Sequence, residues 1–172
     1  MDESSQNNKI NKKVAEVQTF PVPYALDEIK ENPSLNTSTP SQPSKEKIIQ
    51  QALKLHSQGN LSEATKYYQY CISQNFNDHR VFSNYGTILK NLGQLKEAEI
   101  ITRKAIKIKP NFANSHYNLG NILRSLGKLT EAEKYQRKAV KLNPDFELAY
   151  FNLGNILNDL GKLKDAEKYQ RK

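Results

Sequence analysis

NYGTILKNLGQLKEAE at residues 84–99 returns as NLGNILRSLGKLTEAE at 118–133 and as NLGNILNDLGKLKDAE at 152–167, each time 34 residues further on. Stepping back once more brings Gln50 into register, with Gly59, Leu61 and Ala64 at the matching places. The chain from residue 45 onward therefore divides into units 45–78, 79–112, 113–146 and an incomplete 147–172. Between the last two units 17 of 26 aligned residues are identical, which chance does not produce. A fixed period of this length marks a repeat array in which each unit is one supersecondary element.

The physics of one unit is legible in residues 113–146. From Asn114 to Leu126 the apolar residues Tyr117, Leu119, Ile122, Leu123 and Leu126 have helical rather than strand-like spacing. Gly127 interrupts, as a helix C-terminal cap does. Leu129 to Leu142 reads as a second helix with Ala132, Tyr135, Ala139, Val140 and Leu142 as its apolar positions. Asn143-Pro144-Asp145 stops it, because proline cannot continue a helix and disfavours helix in the residue before it. Gly86, Gly120 and Gly154 fall mid-helix, where glycine costs about 1 kcal/mol relative to alanine. Their recurrence predicts close backbone packing there, and Ala64, Ala98, Ala132 and Ala166 repeat the logic on the second helices. A hairpin this small cannot hide its apolar faces alone, so stacked units are expected to form an all-α solenoid with a concave and a convex side.

These residues resemble the tetratricopeptide repeat: helix–turn–helix units of 34 residues, Leu-Gly in the first helix, alanines in the second and a closing proline. The resemblance covers residues 45–172, and the array is similar to the N-terminal repeat regions of bacterial O-GlcNAc-transferase-like proteins. Two departures stand out. The aromatic position usually held by tryptophan is Ile48, Phe82, His116 and Tyr150, and the first unit has Ala52 for the glycine and Phe76 for the proline. That unit reads as a degenerate N-terminal cap.

In the family, first helices line the concave face and hold an extended peptide or a partner helix. The resemblance thus implies a protein or peptide partner, held on a stripe of Arg80, Ser83, Thr87 and Lys90, then Asn114, Tyr117, Asn121 and Arg124, then Leu148, Phe151, Asn155 and Asn158. Tyr117 and Phe151 are candidate apolar anchors. Asn84, Asn118 and Asn152 form a ladder one repeat apart that resembles the asparagine ladder of O-linked GlcNAc transferases. A carboxamide can bond both the N–H and the C=O of a peptide. The competing reading, that these asparagines help the units pack, stays open. Other modules of the family clamp a chaperone's C-terminal carboxylate with a lysine one turn ahead of an asparagine. The matching places here are Ile49, Ser83, Tyr117 and Phe151, none of them lysine, which argues against that specificity.

The net charge of +8 is unevenly spread. Residues 1–44 hold four Lys/Arg and six Asp/Glu, a balance of −2, leaving 22 against 12, or +10, for the array. Bases recur on the second helices: Arg103, Lys104 and Lys107, then Arg137, Lys138 and Lys141, then Arg171 and Lys172. A row of this kind fits an acidic partner, RNA or an anionic membrane surface. The favoured reading is a solvated face partly paired with Glu97, Glu99, Glu131 and Glu133, and nucleic acid is not expected as a partner.

No catalytic residues, metal site or cofactor are expected. His56, His79 and His116 are scattered without metal-ligand spacing, and no phosphate-binding loop, nucleophile elbow or dinucleotide fingerprint occurs. The single cysteine, Cys71, reads as a small buried residue. No apolar stretch approaches the ~18 residues of a membrane span. The polar start MDESSQNNKINKK does not resemble a secretory leader, so a cytoplasmic location is expected.

Five of the seven prolines and none of the seven glycines lie in residues 1–44, which reads as a disordered tail. Within it, VQTFPVPYALDEI (residues 17–29) is the exception, a candidate short helix or a segment that docks on the repeats. At the other end, Arg171-Lys172 falls partway along a second helix with no closing proline. Ile156, Leu160, Leu163, Ala166 and Tyr169 are therefore expected to be partly uncovered. This leaves two openings: self-association through the uncapped last helix, or a fragment whose array recruits substrates to a glycosyl-, sulfo- or methyltransferase domain.

Overall fold

The computed structural model describes residues 43–170. The expected disorder of the tail and the reading of residues 17–29 lie outside the described residues, as do Arg171 and Lys172. Among the described residues there are eight helices: α1 (Lys45–Ser57), α2 (Leu61–Ser73), α3 (His79–Asn91), α4 (Leu95–Ile108), α5 (Ala113–Ser125), α6 (Leu129–Leu142), α7 (Glu147–Asp159) and α8 (Leu163–Gln170). They pair as four successive hairpins in the predicted register.

The turn inside each hairpin is set by glycine. Gly59, Gly93, Gly127 and Gly161 take φ between 72° and 79°, a left-handed backbone that side chains resist. In the third hairpin Gly127 N–H reaches Arg124 O at 2.9 Å and Lys128 N–H reaches Leu123 O at 2.9 Å, a Schellman closure that satisfies the last carbonyls of α5. The first unit, lacking its proline, ends α2 in the same way by other means. Asn75 takes φ 55°, and Phe76 N–H bonds Cys71 O at 2.8 Å. Asparagine tolerates this conformation better than most residues do.

Successive first helices touch one another: α1 with α3, α3 with α5, and α5 with α7. Successive second helices meet only through long side chains. The array therefore curves with its first helices on the inside. Ala64, Ala98, Ala132 and Ala166 are all buried, as the pattern requires. The mid-helix glycines admit mainly side chains rather than the close backbone expected. A Cβ on Gly120 would lie 2.8–2.9 Å from Gln136, and one on Gly86 would collide with Thr102 Oγ1, with Ala98 O at 3.4 Å. The physical reason is that a buried polar side chain, Thr102 on α4 and Gln136 on α6, fills the notch.

The last hairpin also departs from expectation. Ile156 and Ala166 are buried, because they pack inward against neighbouring core residues. Leu160 and Tyr169 are half-buried and Leu163 is exposed.

Candidate concave binding face

The expected site residues lie on α3, α5 and α7, which face the inside of the curve, but most of their polar groups already have internal work. Two asparagines of the ladder, Asn118 and Asn152, bond to the unit before them. Asn84 lies beside the Tyr68 hydroxyl, whose proton affinity it lowers. Asn118 Nδ2 donates to Ser83 Oγ at 3.0 Å, with Ser83 O at 3.4 Å, and Asn152 Nδ2 donates to Asn121 Oδ1 at 3.0 Å. Gln136 Nε2 donates to the same Asn121 oxygen at 2.7 Å and to Tyr117 O at 3.1 Å. The ladder thus ties units together along the concave side.

Ser83, expected in the exposed stripe, is 1% exposed. It sits under Asn118, where a small hydroxyl lets α3 and α5 approach. Arg80 is drawn to Asp78 at 2.8 Å and Glu46 at 3.1 Å, joining α1 to α3. Burial works to raise the Asp78 carboxyl, but the Arg80 bonds outweigh it and hold it below the usual range. Thr87 bonds Ser83 O at 3.3 Å, and Arg124 pairs with Asp159 at 2.7 Å, joining α5 to α7. Lys90 has no ion-pair partner among the described residues, and Asn155 is half-buried. Tyr117 packs its ring 4.9 Å from Phe146, whereas Phe151 and Leu148 are each 59% exposed.

Gln136 was missing from the sequence reading of this face. Its signal is a polar residue facing a mid-helix glycine, visible only once the hairpin is closed. His116 is a packed residue: it is buried, stacked 5.9 Å from Tyr135, and its Nε2–H donates to Pro110 O at 2.7 Å. Burial lowers its affinity for a proton, and Lys138 nearby adds to this, while the Pro110 bond opposes it. Cys71 is buried, and burial pushes its thiol up to about 11. No group of three metal-ligating side chains comes together among the described residues. None of their helices is long and apolar enough to cross a membrane.

Two sequence profiles, both described as tetratricopeptide repeat, match the chain: one over residues 79–112 and 113–146, the other over 135–168. Together they span residues 79–168, more than half of the chain. No curated protein sequence matches it. Among solved structures the fold is similar to MamA (TM-score 0.67, 19% identity, 74% of this chain and 75% of that one). It is also similar to a mutant of the Thermobaculum terrenum O-GlcNAc transferase (TM-score 0.63, 21% identity, 66% of this chain and 22% of that one). A third is the first repeat domain of Spaghetti (RPAP3) bound to an HSP90 peptide (TM-score 0.63, 20% identity, 68% of this chain and 93% of that one).

Proposed function

Because the chain belongs to the tetratricopeptide repeat family, we propose that it is a cytoplasmic interaction scaffold, not an enzyme, whose concave face holds an extended segment of a partner protein. The observation that carries this reading is the orientation of Asn121. Gln136 and Asn152 both donate to its oxygen, so its own two N–H groups are left for a ligand. On the neighbouring turn Asn118 spends a donor on Ser83, so its carbonyl oxygen is the group left for a peptide N–H. Exposed Phe151 and Leu148 supply apolar anchorage beside these amides. The RPAP3 domain with its bound peptide supports the use of such a face, though the carboxylate-clamp lysine has no counterpart here.

The test begins with peptides selected from a random library on the full chain. Asn121→Asp keeps the acceptor for Gln136 and Asn152 and removes the outward donors. It should weaken selected peptides about tenfold, the loss of one or two hydrogen bonds, with the melting temperature little changed. Amidating the peptide C-terminus should leave affinity unchanged. Unaltered binding to Asn121→Asp and to Asn118→Ala/Asn152→Ala would remove the reading.

A second reading makes the array the substrate-recruiting portion of a larger transferase, supported by the likeness to part of an O-GlcNAc transferase. It predicts an open reading frame that continues beyond Lys172 into a catalytic domain. Self-association through α8 predicts a dimer in sedimentation that Leu163→Glu disperses.

A further inference from the structure

The arginines and lysines of the second helices have different fates. Arg103 bonds Glu99 at 2.7 Å, Glu131 at 3.1 Å and the Tyr135 hydroxyl at 2.8 Å. One repeat on, Arg137 bonds Glu133 at 2.8 Å and the Tyr169 hydroxyl at 2.8 Å. The same two glutamates also take Lys128 at 2.9 Å and Lys162 at 2.7 Å. These bridges consume the arginines and the best-placed carboxylates. Lys104, Lys107, Lys134, Lys138, Lys141 and Lys168 have no ion-pair partner among the described residues, and they stand on three successive second helices.

Two of these lysines, Lys141 and Lys168, border a cleft. This cleft of about 400 Å³ between α6, α7 and α8 is lined by Arg137, Val140, Lys141, Tyr150, Lys168 and Tyr169. The positions in register one unit earlier are Arg103, Ile106, Lys107, His116, Lys134 and Tyr135. The ring pair recurs too: Tyr150 stacks on Tyr169 at 6.1 Å, and His116 on Tyr135 at 5.9 Å. The result is one cationic cleft, preceded one repeat earlier by side chains of the same kind in register.

We propose that this outer lysine row docks an acidic, Asp/Glu-rich polypeptide segment, distinct from the peptide held on the concave face. Carboxylates are the class that fits. Lysine ammoniums are point charges that meet single carboxylates without a fixed geometry. Nucleic acid fits less well. Single strands need open aromatic platforms, whereas Tyr135 and Tyr169 are already covered by guanidiniums at 5.5 and 5.3 Å. The guanidiniums that would fork a phosphate are tied to Glu99 and Glu133.

The experiment uses the full chain and three fluorescent probes: a glutamate-rich peptide, its glutamine analogue and an oligodeoxythymidylate of equal charge. The glutamate peptide should bind, and its affinity should fall with salt as surface charges are screened. Charge reversal at exposed positions, Lys141→Glu/Lys168→Glu or separately Lys107→Glu/Lys134→Glu, should weaken it about tenfold with the melting temperature retained. Asn121→Asp and Asn118→Ala/Asn152→Ala should leave it unchanged, which separates this surface from the concave one. Equal binding of the glutamine analogue, insensitivity to both lysine pairs, or tighter binding of the oligonucleotide would overturn the proposal.

Discussion

The joint between the first two units and the joints that follow are built from different materials on one 34-residue frame. At the first joint a continuous apolar and aromatic cluster, including Ile49, Tyr68, Cys71, Val81, Phe82 and Tyr85, runs through both units and reaches Ile122 of the third. Tyr68 is fully buried at its centre, with its hydroxyl 3.1 Å from His56 Nδ1, and burial pushes that hydroxyl up to about 12. At the later joints the buried clusters are smaller, Leu119, Leu123, Ala132 and Ile156, then Leu153, Leu157 and Ala166. There the second helices are linked by the Glu–Arg–Tyr–Lys bridges. In register with Glu99, Arg103 and Tyr135 the first joint has Thr65, Gln69 and Ile101. The repeat specifies where helices lie; it leaves open whether the second helices across a joint are linked by bridging charges.

That contrast can be broken most severely from the apolar side. Tyr68→Ala should cost about 3–5 kcal/mol in urea unfolding, the range for emptying a large buried aromatic site. Hydrogen exchange should then show α1–α3 losing protection first while α5–α7 keep theirs. If α5–α7 open at the same free energy, the two regions form one cooperative unit and the contrast has no energetic meaning.

The glycine notches come next. Gly86→Ala drives a Cβ into Thr102 and towards the Ala98 carbonyl, and should cost about 2–3 kcal/mol. Gly120→Ala meets the longer Gln136 and should cost about 1–2 kcal/mol, less because that side chain can shift. The loss should be smaller than additive in combination with Gln136→Ala. Equal costs at both glycines would mean that the identity of the notch-filling residue is irrelevant.

Removing the bridges should do less. Arg103→Gln and Arg137→Gln should each cost about 1 kcal/mol, since these guanidiniums are more than a third exposed and the gain is screened. The loss should shrink in high salt, unlike that of Tyr68→Ala. A loss as large as the tyrosine's would place the later joints' stability in charge rather than in packing.

Acid gives the smallest effect. Burial alone would raise Glu99 and Glu133, but their lysine and arginine bonds outweigh it and hold both carboxyls below the ordinary value of 4.5. A depressed folded-state value means the contribution is complete above the unfolded value and lost as pH falls through the folded one. Glu99→Gln/Glu133→Gln should therefore flatten the drop in melting temperature below about pH 4.5, leaving the part due to Asp78 and Glu46. An unchanged slope would show that the bridges carry no linked stability.

The period, the hairpins, the glycine turns and the buried alanines were all written in the order of residues. Each is decided by backbone conformation or by helical spacing within a few residues, and neither needs a distant partner. The assignments that required the folded array are those between units. For Asn118 and Asn152 the order of residues left both peptide binding and packing open; in the folded array they bond Ser83 and Asn121 in the preceding unit. Arg103 and Lys104 are adjacent bases, yet only the arginine is consumed by a bridge. Where Phe76 stands in place of the closing proline, Asn75 ends α2 with a left-handed backbone that nothing in its neighbours announces. Residues some 30 positions apart meet or miss according to the curvature of the stack and the reach of each side chain. Both are properties of packed helices, so only the tertiary structure decides them.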